Sequence, residues 1–290
     1  MRTALLIAAL MGVVSLLAAA CGSEETPAPS PAVTQSAQTT DTPKATATPT
    51  ASPTPKEVRQ PEWTVEQQPS GADVTVVLSD GVNQYTVASD SAESAQMFPW
   101  SVAYDQDLDG DGVNEAIVSH YTGGAHCCSE YLIFDAGPDG IASLDSFSLD
   151  DAEIDGLKDL DGDGIPEMRS NDARLAYFDD ISYAASPFLP LILCRSADGT
   201  YNDCTPDFPD MLEENAQEYE GLLADAPQSA SDEDKYGYSL GLLASYKHLG
   251  REDEGWSKVA ALCAECESWL RQNLADLEAR LESPMPYRGY

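Results

Sequence analysis

The chain is short of positive charge. Fifteen Lys and Arg stand against fifty Asp and Glu among 290 residues, for a formal net charge of −35. A surface of that sign repels nucleic-acid phosphates and anionic headgroups, so it excludes nucleic acid as a direct partner. Catalytic signatures are missing too. There is no G-x-S-x-G, no H-E-x-x-H and no His–acid pair beside a nucleophile motif, so the sequence argues against an enzyme. No EF-hand register works either, because position twelve falls on Val118 or Ser170 where a bidentate Glu is required.

What the chain does have is acid in a repeated pattern. Asp107-Leu108-Asp109-Gly110-Asp111-Gly112-Val113-Asn114-Glu115 returns 52 residues later as Asp159-Leu160-Asp161-Gly162-Asp163-Gly164-Ile165-Pro166-Glu167, alike at seven of nine positions. Carboxylates at every second residue repel one another unless a cation sits among them. Calcium suits them, since it takes six to eight oxygens in irregular geometry. Glycine at the fourth and sixth positions permits the left-handed backbone that curls a chain around an ion.

The pattern D-x-D-G-D-G-x-x-E, followed by a strand-like segment, resembles the calcium loops of FG-GAP and VCBS-type β-repeats. The resemblance implies a loop joining two antiparallel strands, with ligands from side chains one, three, five and nine and the carbonyl of seven. It thus implies two Ca2+ ions. One would be held by Asp107, Asp109, Asp111, Glu115 and the Val113 carbonyl, the other by Asp159, Asp161, Asp163, Glu167 and the Ile165 carbonyl. The chain departs from that family in using Glu at position nine and in carrying only two such loops.

The N-terminus reads as a signal peptide, residues 1–20. Arg2 precedes an apolar run from Ala4 to Leu17, and Leu17-Ala18-Ala19-Ala20-Cys21-Gly22 supplies a small-residue cleavage site. This resembles a bacterial lipobox, which implies lipidation (palmitate-type acylation) at Cys21, attachment to a membrane through that lipid, and a place in the bacterial cell envelope outside the cytoplasm. The alternative is an uncleaved anchor, as about 17 apolar residues reach the lower limit for spanning. Residues 21–62 are rich in Thr, Pro, Ala and Ser with almost no large apolar residue, and such a segment cannot bury enough surface to fold. It reads as a disordered tether reaching on the order of 35 Å if flexible.

From Trp63 the composition changes. Val74–Leu78 and Tyr85–Val87 predict a hairpin about Ser79-Asp80-Gly81. Further strands are expected at Trp100–Tyr104, Ala116–Tyr121, Tyr131–Phe134 and Ala142–Leu149. Short strands separated by Gly and Asp turns indicate an antiparallel β domain over residues 63–205, propeller-fragment or sandwich-like.

Six cysteines remain after Cys21: Cys127, Cys128, Cys194, Cys204, Cys263 and Cys266. An even number outside the cytoplasm suggests disulfides. Cys194 and Cys204 flank the hairpin-like turn Ser196–Gly199 and are expected to pair. The other four stay open. Gly123-Gly124-Ala125-His126-Cys127-Cys128 admits a metal centre, with His120 the only other nearby histidine, or a vicinal disulfide, or an oxidised glycine turn. Cys263–Cys266 has CxxC spacing without a thioredoxin-like context, which favours a structural bridge.

Residues 206–290 read as helical, with helices over Asp207–Leu223 and Asp232–Leu249. A third starts near Glu252 and carries Trp256, Val259, Ala260, Cys263, Cys266, Leu270, Leu274, Leu277 and Leu281 on one face. Tyr246–Gly255 resembles the helix–turn–helix of a tetratricopeptide repeat, although one copy makes no binding superhelix. The fold class expected is therefore α+β: an antiparallel β domain with two calcium loops, then a small helical C-terminal region. The function expected is a surface-anchored, extracytoplasmic, calcium-binding lipoprotein acting as a binding or structural, adhesion-like module for an extracellular protein or glycan. The alternatives are a lipid-anchored hydrolase with structural calcium and a thiol–disulfide redox protein.

Overall fold

The computed structural model describes residues 59–124, 128–226 and 230–288. The expected signal peptide, Cys21 and most of the tether lie outside the described residues, as do His126 and Cys127. No helix among the described residues is long and apolar enough to cross a membrane. The fold is α+β, with three antiparallel meanders followed by helices.

The first sheet runs β1 (Thr64–Ser70), β2 (Asp73–Ser79) and β3 (Gln84–Ser91). β2 and β3 are the expected hairpin, and Asp80 fixes its turn. The Asp80 carboxylate accepts from Val82 N at 2.7 Å and Asn83 N at 2.6 Å, while Gly81 takes a left-handed φ of 85°. After the short helix α1 (Ala92–Met97) comes the second sheet: β4 (Ser101–Gln106), β5 (Glu115–Tyr121), β6 (Ser129–Gly137) and β7 (Gly140–Ser148). The third sheet is β8 (Gly156–Lys158), β9 (Glu167–Asp172), β10 (Leu189–Arg195) and β11 (Tyr201–Asp203).

Side-chain alternation explains how the sheets meet. Along β5, Ala116 and Val118 enter a core with Val74, Val76, Leu78 and Trp100 of the preceding region, while Ile117 enters a second core with Met168, Leu191 and Leu193 of the third sheet. A strand with period two thus serves two cores at once. The middle of the second sheet is consequently buried on both faces, giving three successive sheets rather than the two layers of a sandwich.

The helices are α2 (Pro209–Ala224), α3 (Asp232–His248), α4 (Glu252–Leu262), α5 (Ala264–Gln272) and α6 (Leu274–Leu281). Where periodicity predicts one long third helix, the chain forms α4, α5 and α6. The first break is at Cys263, whose backbone is extended (φ −152°, ψ 93°) and whose sulfur is bonded to Cys266. The second is at Asn273, whose amide donates to Asp179 at 2.8 Å and to the Trp269 carbonyl. The apolar stripe survives both breaks, because Val259, Cys266, Leu270 and Leu277 share one core with α3.

That core also takes in Leu175, Phe178, Ile181 and Leu189, so it crosses the boundary expected at residue 205. The chain's end crosses back as well. Tyr287 pairs with Ser148 through two backbone hydrogen bonds, 3.0 and 2.9 Å, and Arg288 reaches Asp145 and the Tyr201 carbonyl. Arg174 secures the return: it pairs with buried Asp172 at 2.6 Å and donates to the Leu281 and Ser283 carbonyls.

Helix α3 threads the narrowest space. A Cβ at Gly237 would lie 1.8 Å from the Ala185 carbonyl oxygen, while one at Gly221, on the exposed face of α2, meets nothing within 4 Å. Overpacking of a rigid backbone contact costs at least about 1–3 kcal/mol, whereas removing an exposed helical glycine gains about 0.5–1 kcal/mol. Gly237→Ala is therefore expected to lower the urea midpoint and Gly221→Ala to raise it; equal effects would contradict the close approach.

Candidate metal centres in two acidic loops

Both acidic loops join the first and second strands of a four-stranded meander. Asp107–Glu115 connects antiparallel β4 and β5, and Asp159–Glu167 connects antiparallel β8 and β9. Their internal hydrogen bonds match almost bond for bond. The first Asp accepts from the fourth residue's N–H at 2.7 Å in both loops (Gly110 and Gly162) and from the sixth's at 3.0 Å in both (Gly112 and Gly164). The third Asp accepts from the fifth residue at 3.1 and 3.0 Å. The fifth Asp accepts from the seventh at 2.7 Å in each. The four glycines have φ between 79° and 93°, a region that L side chains adopt only under strain.

Position nine starts the following strand and turns its carboxylate back under the loop. Glu115 Oε2 accepts from Leu108 N at 2.5 Å, and Glu167 Oε2 accepts from Leu160 N at 2.7 Å. Both glutamates are buried, at 1% and 4% exposure. In the first loop the other oxygen, Glu115 Oε1, is buried with no hydrogen-bond partner. A buried unpartnered carboxylate oxygen is costly.

Ligand-capable oxygens of Asp107, Asp109 and Glu115 lie within 4.8 Å of one another, and so do those of Asp159, Asp161 and Glu167. The expected fifth-position ligands, Asp111 and Asp163, stand outside these groups. Each spends one oxygen on the seventh-residue N–H, so Val113 and Ile165 are tied in through nitrogen. A carboxylate has about four lone-pair sites, which leaves every one of these side chains acceptor capacity toward an ion. The donor set is all oxygen, as a hard divalent cation requires.

Electrostatics agree with the geometry. Burial pushes the Glu115 carboxyl up to about 7, the Leu108 N–H opposes that rise, and the charges of Asp109, Asp135 and Asp107 add to it. Burial likewise raises Glu167, with Asp161 and Asp163 adding to it. Asp135 on β6 is raised by burial and then by Asp111 and Asp109. A cation in the loop would relieve all of these.

Sequence spacing missed Asp135, Arg195 and the strap over the first loop. Arg195 Nη2 lies 3.3 Å from Asp109 Oδ2. Gln60 donates to the Gly112 carbonyl at 2.6 Å and accepts from Asn114 N at 3.1 Å, while Trp63 donates to the Asn114 carbonyl at 2.9 Å. These partners are 51 to 86 residues away in sequence. The one local hint is that Arg195 is among few basic residues in an acidic chain. Gln60 also shows that the ordered fold begins before Trp63.

The cysteines divide clearly. Cys194–Cys204 and Cys263–Cys266 are disulfides. Cys128 is also disulfide-bonded. His120 belongs to no metal-ligating group among the described residues. It is buried, stacks on Trp100 with ring centroids 4.2 Å apart, and has Asp90 and Glu130 oxygens at 3.7 and 3.8 Å.

No protein-family model matches the chain, and no solved structure matches it. The chain is similar to the probable thylakoid lumen protein of Synechocystis sp., at 31% identity over 176 residues, which are 59% of this chain and 51% of the relative. It spans about half the length of the curated relative it matches.

The Cys194–Cys204 bridge closes a ten-residue separation across β10–β11. Chain-entropy reasoning assigns a loop of that size roughly 2–3 kcal/mol. Replacing both cysteines by Ala is expected to lower the unfolding free energy in urea by about that amount; an unchanged midpoint would show that the bridge adds no stability.

Proposed function

We propose that this chain is an extracytoplasmic calcium-binding module of the FG-GAP/VCBS type, holding one Ca2+ in each acidic loop and serving a binding or structural role. One observation carries the reading. Glu115 Oε1 is buried without a partner, in a carboxyl group whose ligand-capable oxygens gather with those of Asp107 and Asp109. When bound, calcium supplies positive charge and irregular high coordination there. The chain's own contribution is to hold the carboxylates: glycine-permitted turns orient the first Asp, and the Leu108 and Leu160 N–H groups fix the glutamates.

Location outside the cytoplasm is supported by the disulfides and by similarity to a protein named for the thylakoid lumen. Anchorage through a lipid on Cys21 is part of the same proposal, and an extracellular protein or glycan is the partner class it implies. The redox alternative at Cys263–Cys266 is weakened by burial, since these are 5% and 0% exposed and a working disulfide needs access to a thiolate.

Calcium that binds only the folded state adds about 2.7 kcal/mol per site at a hundredfold excess over the dissociation constant. Calorimetric titration of the full chain is expected to give two calcium binding events. Asp109→Asn is expected to remove one and Asp161→Asn the other, each variant keeping the oxygen that accepts the fifth-residue N–H. Chelator is expected to lower the melting temperature of the wild type. Absence of both heat and thermal shift would leave the loops as hydrogen-bonded acidic turns.

A further inference from the structure

The two loops share sequence and internal geometry but not surroundings. In the first, a guanidinium already occupies cation territory: Arg195 Nη2 is 3.3 Å from Asp109 Oδ2, with the two side chains only 17% and 26% exposed. Arg195 sits at the end of β10, directly across from Tyr201 in the β10–β11 register and next to the disulfide-bonded Cys194. Its stem is therefore held by the third sheet while its head reaches into a loop of the second. The Gln60 and Trp63 bonds hold the same loop from the other side. In the second loop, no Lys, Arg or His among the described residues pairs with Asp159, Asp161, Asp163 or Glu167, and Asp159 and Asp161 are exposed. The loops are also neighbours, since a Cβ at Gly110 would lie 3.9 Å from Ile165 Cγ1.

The hydrogen bonding around Arg195 is incomplete. Arg195 Nε, the Tyr201 hydroxyl and Glu115 Oε1 are all buried without a partner, and Tyr201 lies within the fields of Arg195, Glu115 and Asp109. The guanidinium thus meets Asp109 through one nitrogen rather than the two parallel bonds of a bidentate Arg–carboxylate pair. Its charge is matched while its donors are not used up, as befits a contact that can be exchanged.

We propose that Arg195 is a resident counter-ion of the first acidic loop, holding Asp109 when calcium is absent and competing with calcium when it arrives. The proposal rests on the calcium reading and divides the labour between the sites. The first loop keeps its form without an ion and takes calcium weakly and reversibly. In the second, no Lys, Arg or His among the described residues pairs with the carboxylates, so calcium meets no such competitor there. Because Arg195 belongs to the third sheet, filling the first loop changes a contact between sheets.

The test is calcium titration calorimetry on the full chain in an Asp161→Asn background, which leaves the first loop alone. Arg195→Met is expected to tighten calcium binding there by about tenfold or more, because a fixed positive charge within a few ångströms of the ion is removed. Arg195→Lys, which keeps the charge, is expected to stay within about twofold of the parent. In chelator, Arg195→Met is expected to melt below wild type and to recover when millimolar calcium is added. Unchanged or weaker binding in Arg195→Met, or an equal gain in Arg195→Lys, overturns the proposal. So does an Arg195→Met chain that stays unfolded with calcium, since Arg195 would then serve the fold rather than stand in for the ion. If the wild type gives no calcium heat at all, the calcium reading itself falls, an outcome distinct from all of these.

Discussion

Like charges brought together at the head of a strand are the constraint on which the β region turns. Glu115 and Glu167 each open a strand and are each buried beneath a loop that carries three more carboxylates. Burial and repulsion both act against the ionised form, and only part of that is offset by the Leu108 and Leu160 N–H groups. The strands cannot start elsewhere without moving the whole alternation by one residue, which would send Ile117 and Val118 into each other's cores. Strand register and carboxylate burial are therefore one problem, and a cation in each loop would relieve it without touching the sheets.

The sheets in turn hold the loops. The second sheet gives one face to Val76, Leu78 and Trp100 and the other to Met168, Leu191 and Leu193. A loop at its edge thus sits beside the next sheet, and residues distant in sequence meet there. The C-terminal chain fastens this arrangement through Tyr287 on Ser148 and Arg288 on Asp145 and Tyr201. The helices contribute a core of their own that extends to Leu175, Phe178 and Leu189. They pack as a continuation of the β region.

Two copies of one nine-residue motif end up in different electrostatic settings. The first copy is strapped by Gln60 and Trp63 and faced by Arg195, and the second is exposed at Asp159 and Asp161. Repetition in sequence guarantees repeated local geometry, because the turn bonds lie within the motif. It does not guarantee repeated affinity, because charge acts from outside it.

Much of the local structure was legible in the sequence. The Asp-Gly alternation dictated two identical turns, since each Asp bonds an N–H two to five residues on and each Gly supplies a φ that other residues resist. The β2–β3 hairpin followed from Val74–Leu78 and the Asp80-Gly81 turn, and the Cys194–Cys204 pair from the hairpin they flank. The apolar stripe from Trp256 to Leu281 marked a buried face, but not the breaks at Cys263 and Asn273. Those depend on a disulfide and on Asp179, which lies 94 residues away. Arg195, Asp135 and Gln60 carry no local signature, because charge at a site is set by whatever the packing of sheets brings near. The sequence by itself determined the two acidic turns and most of the strands. Only the tertiary structure decided which loop has a guanidinium at its mouth, because that depends on which sheet packs against which.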